Sequence, residues 1–108
     1  MDARIVLTTA PDREAAERIA RALVERRLVA CVNLVAGVRS VYRWKGEIAE
    51  ADEVLLVAKT AVDRLEGLER ALKELHPYDV PEFIVLPIVD GNDAYLRWIS
   101  DSTRISTA

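Results

Sequence analysis

Residues 28–60 read LVACVNLVAGVRSVYRWKGEIAEADEVLLVAKT, and this stretch decides the fold. On the near side, Val29, Cys31 and Val35 give way to Val38, Val41 and Tyr42; on the far side comes the run Val54-Leu55-Leu56-Val57-Ala58. Between them lies a single turn signal, Trp44-Lys45-Gly46-Glu47. β-branched and apolar residues around a Lys-Gly turn predict a β-hairpin. Each arm of about 15 residues, at roughly 3.3 Å per residue, would span some 50 Å. A compact domain of about 100 residues has a radius of gyration near 13 Å and measures only some 35 Å across. The hairpin must therefore bend, with Gly37 as the expected place, or reach onto another body. A half-apolar ribbon left in water is an aggregation hazard. The sequence thus predicts a closed homo-oligomer in which a second copy covers it.

Outward from the hairpin, Arg4 to Thr9 is a short apolar run ended by Ala10-Pro11-Asp12, which predicts a buried strand. Asp12 to Arg27 then places Ala16, Ile19, Ala20, Leu23 and Val24 on one helical stripe. Its acidic residues Glu14 and Glu17 come early and Arg26 and Arg27 late, the order the helix dipole favours. Beyond the hairpin, Val62, Leu65, Leu68, Leu72 and Leu75 predict a second helix, ended by His76-Pro77. The two strand-to-helix junctions are alike, Thr9-Ala10-Pro11-Asp12 and Thr60-Ala61-Val62-Asp63, which suggests a shared capping signal and two βαβ halves. Val80 to Val89 predicts the last strand, with Pro87 confined to an edge or bulge because it cannot donate to a ladder. Asn92 or Asp93 is expected to cap a final short helix carrying Tyr95, Trp98 and Ile99, and residues from about 102 to 108 a frayed tail. The order β-α-β-β-α-β-α predicts an α+β protein: a ferredoxin-like split βαβ sandwich, an antiparallel sheet with helices on one face.

The 108 residues are expected to form one domain over residues 1–108. A net charge of −3, with both signs mixed along the chain, gives no nucleic-acid footprint. No apolar run reaches the ~18 residues of a membrane span. Met1-Asp2-Ala3-Arg4 leads directly into a strand, without the regions of a signal peptide. One cysteine, Cys31, permits no intrachain disulfide and fits a reducing cytoplasm. The standard nucleotide, hydrolase, zinc-protease and dithiol motifs are absent.

A few residues remain as candidates for chemistry. Cys31 is by default an inert buried thiol; as a ligand or nucleophile it needs a cationic or metal-bearing neighbour. His76 ends a helix, where it caps the dipole, or as an exposed imidazole binds copper or zinc. Lys59 and Glu82 each sit at the end of an apolar strand; they form a structural ion pair or line a pocket with perturbed acidities. Trp44 and Tyr78 flank turns, as interface aromatics or as a ligand wall.

Taken together, Ala30-Cys31-Val32-Asn33, Ser40 to Glu47, Lys59-Thr60 and His76-Pro77-Tyr78-Asp79-Val80-Pro81-Glu82 resemble the CutA family of divalent-cation tolerance proteins. The resemblance runs over essentially the whole chain. It implies a ferredoxin-like fold, a tight cytoplasmic homotrimer similar in architecture to the PII signalling proteins, no enzymatic activity and no required cofactor. It also implies tolerance to copper and other divalent cations. In members with proposed copper ligands a thiol ends the first strand and two histidines precede the proline; here Thr8 and Thr9 stand at the strand end and Leu75 precedes His76. Only His76 matches, with Cys31 as a separate thiol, so weak Cu(II) binding at His76 is expected, with Cys31 as the candidate for Cu(I). The rival readings are a PII-like sensor of a small anionic ligand and an enzyme using Cys31 as nucleophile. The sensor's pocket would lie between subunits, with Cys31, Trp44, Lys59, Tyr78 and Glu82 around it.

Overall fold

The hairpin is the longest feature of the molecule. In the computed structural model, which describes residues 2–105, its arms are β2 (Cys31–Trp44) and β3 (Glu47–Ala61). The remaining elements are β1 (Ala3–Ala10), α1 (Arg13–Glu25), a single 3-10 turn (Val62–Arg64), α2 (Leu65–Leu75), β4 (Ile84–Pro87) and α3 (Asp93–Ser102). The four strands form one antiparallel sheet in the order β2-β3-β1-β4. The hairpin draws the molecule out to 48 × 29 × 22 Å, with a radius of gyration of 14.6 Å.

The turn closes in two residues, with Trp44 paired to Glu47. Lys45 and Gly46 both adopt positive φ, 50° and 80°. That is the primed turn whose twist matches the flanking strands. The expected bend is present at Gly37, which has φ 78°. Val35 pairs with Leu55 but Val38 pairs with Glu53, so Ala36 and Gly37 together oppose Val54. This is a β-bulge, and its one-residue slip reverses the facing of every β2 side chain beyond it.

Alternation sorts β1 and β3 cleanly. Val6 and Ala10 of β1 and Val54, Leu56 and Ala58 of β3 are buried with Ile19 and Leu23 of α1 and Leu68 and Leu72 of α2. At about 25 cal/mol per Å² of apolar area removed from water, this layer is the main source of stability. The third helix lies on the other face. Ala3, of the opposite parity, packs with Ala30 and Ile99, and the Lys59 ammonium lies over the Tyr95 ring, 5.8 Å from its centroid. The expectation of helices on one face therefore holds for α1 and α2 only. The rest of the second face is open, and Val35, Ile84 and Leu86 on it are 46%, 46% and 41% exposed.

Several local expectations are corrected. Val24 is exposed and Ala15 takes its place in the buried stripe. Arg26 and Arg27 lie just past α1: Arg27 adopts φ 56°, and Arg27 N–H and Leu28 N–H bond to the carbonyls of Val24 and Leu23. This is a Schellman cap, with an arginine where glycine is usual. The two junctions are not alike. Asp12 itself caps α1, accepting from Ala15 N–H at 2.8 Å, whereas Thr60 is buried and donates its hydroxyl to Leu28 C=O at 2.7 Å, and no side chain caps the turn at Val62. Asn92 caps α3, accepting from Tyr95 N–H. The expected frayed tail is ordered at its start, since Thr103 is buried and bonds back to Ile99 C=O; residues 106–108 lie outside the described residues.

The last strand is shorter than expected, four residues instead of ten. Pro81 has no N–H to contribute. Ala3 C=O faces β4, accepting from Ile88 N–H, so by alternation Thr9 C=O faces the same way. That acceptor is taken by the His76 ring instead. Released from the ladder, residues 77–82 form a loop. Pro87 does lie in an edge strand, as its missing donor requires.

Candidate functional site, an acidic and aromatic cleft beneath the hairpin

His76 fixes the loop. Its Nδ1 accepts from Tyr78 N–H at 3.1 Å, so Nε2 carries the proton and donates to Thr9 C=O at 2.6 Å. The ring is buried, not exposed, and the Tyr78 ring packs against it with centroids 4.7 Å apart. Both nitrogens are thus engaged within the chain, which makes His76 an anchor for the segment carrying Tyr78 and Glu82.

That segment faces the bulged hairpin across a cleft of about 580 Å³. Thr9, Tyr42, Trp44, Glu53, Tyr78 and Glu82 form its main walls, with exposed Asp79 at the rim. The bulge is what assembles it. Glu53 pairs with Val38, so Ser40, Tyr42 and Trp44 follow Val38 onto the face that Glu53 occupies. Without the extra residue at Ala36-Gly37 both aromatics would point to the other side.

The electrostatics are one-sided. Tyr78 donates its hydroxyl to Glu53 Oε2 at 2.9 Å. Burial first, and then that hydrogen bond and the Glu53 charge, push the Tyr78 phenol up to about 12. Burial and the neighbouring Glu53 carboxylate raise the Glu82 carboxyl above the usual range. Among the described residues neither Glu53 nor Glu82 forms an ion pair.

Of the residues singled out in the sequence, the fold brings Trp44, Tyr78 and Glu82 together and keeps Lys59 and Cys31 apart from them. Lys59 pairs with Ile5 and Cys31 at the open end of the hairpin, four residues along β1 from Thr9, or roughly 13 Å. Its ammonium donates to Asn33 Oδ1 at 2.7 Å, and the half-buried Cys31 thiol points to the same oxygen at 3.7 Å. Within the chain there is accordingly no Lys59–Glu82 pair, and the cleft carries acidic charge without a lysine. Among the described residues no three His, Cys, Asp or Glu side chains converge as a metal site. Sequence reasoning missed Glu53 and Tyr42. The signal for Glu53 was its place in the period-2 series Glu53, Leu55, Val57, Lys59, a charge at each end of an apolar face.

A four-stranded antiparallel sheet in this order, with two helices on one face and a third across the other, defines a ferredoxin-like α+β protein. The chain belongs to the CutA1 divalent ion tolerance protein family, whose pattern matches residues 4–102. The divalent-cation tolerance protein CutA of Thermus thermophilus is 50% identical over 99 residues, covering 92% of this chain and 96% of that protein. The solved structure from that organism superposes with a TM-score of 0.93 at 49% identity, covering 94% of this chain and 99% of that one. The CutA of Archaeoglobus fulgidus, described as periplasmic, superposes with a TM-score of 0.91 at 33% identity, covering 94% and 99% of the two chains. The chloroplastic CutA of Arabidopsis thaliana is 46% identical over 93% of this chain and 55% of its own length. The family takes its name from tolerance and not from a catalysed reaction. Among the described residues no helix is long and apolar enough to cross a membrane.

Proposed function

We propose that this chain is a cytoplasmic homotrimer that responds to divalent metal ions, requires no cofactor, and takes up copper weakly through His76. The family supports the divalent-cation response. The observation that carries the weak, conditional character of binding is the double engagement of His76. A copper ion can take Nε2 only after that nitrogen gives up its proton and its bond to Thr9 C=O, and leaving that part-buried carbonyl unpaired costs on the order of 1 kcal/mol. With one imidazole and no converging ligands among the described residues, the remaining positions are left to water or to another subunit. Cys31, beside Asn33 and far from His76, serves as a separate site for Cu(I), which favours thiolate.

The experiment is calorimetric titration of Cu(II) into the protein and into His76→Ala, with particle mass followed in parallel. The proposal expects modest affinity that is mostly lost in the variant while the assembly persists. Unchanged uptake in His76→Ala would place the copper elsewhere.

A further inference from the structure

We propose that a second copy of this chain closes the acidic cleft, with Lys59 of the partner subunit entering it to pair with Glu53. This rests on the assembly reading above and goes beyond it, because it assigns a residue of the neighbour to the cleft. On the open face of the sheet, alternation puts Glu53, Leu55, Val57 and Lys59 of β3 in one row, beside Leu7 of β1 and Ile84 of β4. The row is an apolar strip with an acid at one end and a base at the other, six residues or roughly 20 Å apart. Both charged ends are half-buried, and neither forms an ion pair among the described residues. Lys59 donates to the neutral Asn33 amide at 2.7 Å. Tyr78 occupies Oε2 of Glu53 and leaves the other oxygen to accept.

The order of charges along the strip decides how two copies overlap. Laid with like ends together, they set acid against acid and base against base, which opposes association. Laid with unlike ends together, they cover the apolar carbon and pair each charge. A closed ring of three copies needs such a heterologous contact, in which two different patches meet. The three carboxylates of the cleft are not equivalent partners. Asp79 is exposed at the rim, where water solvates it. Glu82 lies on the loop, and burial and Glu53 raise its carboxyl, so it carries its charge less readily. Glu53 stands in the row itself. Among the cations, Arg39 is held by Asp52 at 3.1 Å and Glu50 at 3.8 Å, and Arg43 donates to Gly46 C=O at 3.4 Å. Lys45 and Arg97 are exposed to water, which leaves Lys59 as the cation set in the apolar row.

The test is charge reversal, read as particle mass in a dilution series and as melting midpoint. Lys59→Glu and Glu53→Lys should each weaken the assembly at least about tenfold, and the double reversal in one chain should recover most of that loss. Lys59→Met, Glu53→Gln and their combination give a milder cycle that stands if a reversed variant fails to fold. The combined variant should lose clearly less than the two single losses together, whereas residues roughly 20 Å apart within one chain act independently. The proposal is overturned if the single reversals leave the assembly unchanged, if the double reversal recovers nothing, or if the milder cycle is additive. A wild type that is itself a monomer overturns the assembly reading along with it. An intact assembly indifferent to these two charges overturns this proposal alone.

Discussion

Tyr78 and Glu53 hold the two sides of the cleft together. The phenolic hydroxyl, from the loop after α2, donates to the β3 carboxylate at 2.9 Å across a sequence separation of 25. A hydrogen bond to a partly exposed carboxylate contributes about 1 kcal/mol. Tyr78→Phe is expected to lower the unfolding midpoint by about 4–8 °C per kcal/mol lost, and a double-mutant cycle with Glu53→Gln should show the two coupled. Because the folded phenol is raised to about 12 from 10.0, its proton contributes stability that is whole below pH 10 and lost as pH rises toward 12. Melting curves at neutral and alkaline pH read both effects. Additive single substitutions would show that the bond contributes nothing.

Glu82 gives a prediction of unusual sign. A carboxyl raised above 4.5 in the folded state by burial and by Glu53 binds its proton more tightly folded than unfolded. That proton contributes stability that is complete below about pH 4.5 and is lost as pH rises through the raised folded value. Glu82→Gln, which removes the charge, should therefore melt at or above the wild type at pH 7–8, and its advantage should shrink as pH falls toward 4. A variant that melts well below the wild type at neutral pH would mean that Glu82 has a cationic partner supplied by another subunit.

The bulge at Gly37 should be sensitive to a side chain for backbone reasons alone. A Cβ there meets no atom within 4 Å, but φ is 78°. Left-handed backbone costs a non-glycine residue about 1–2 kcal/mol. Gly37→Ala should be destabilised by about that amount, and Gly37→Asn by less, since asparagine tolerates this region. Thermal melting of the two variants decides it. Deleting Ala36 instead would remove the slip that turns Tyr42 and Trp44 toward Glu53, so the tryptophan fluorescence of the hairpin tip should change.

Much of the fold was legible because it rests on patterns that the chain carries locally. The 14- and 15-residue arms, the Lys45-Gly46 turn, the Gly37 bend and the Asn92 cap follow from β-branched runs, turn chemistry and capping preference. The shortened β4 was not legible, because it depends on His76 taking the Thr9 carbonyl across a separation of 67 residues. The site was only partly legible for the same reason. Trp44, Tyr78 and Glu82 stand out as polar or aromatic interruptions of apolar runs, whereas the partner that organises them, Glu53, is an ordinary acid in an acidic stretch. Lys59 was grouped with them on chemistry as part of a cleft between subunits; within one chain, strand register places it toward the other end of the hairpin.

The central claim is that the hairpin and the open face of the sheet belong to an assembly. Val41, Trp44 and Ile48 of the hairpin are 62%, 53% and 72% exposed. The strands β2 and β4 are both outer strands of the sheet, and neither can remain a bare edge without risk of open-ended pairing. A cyclic arrangement in which each hairpin continues a neighbour's sheet covers face and edges together and closes on itself. Light scattering coupled to size exclusion, at micromolar concentration and after modest dilution, tests this most directly. The account predicts one species of about three times 12.1 kDa that does not dissociate; a stable, monodisperse particle of 12.1 kDa would contradict it.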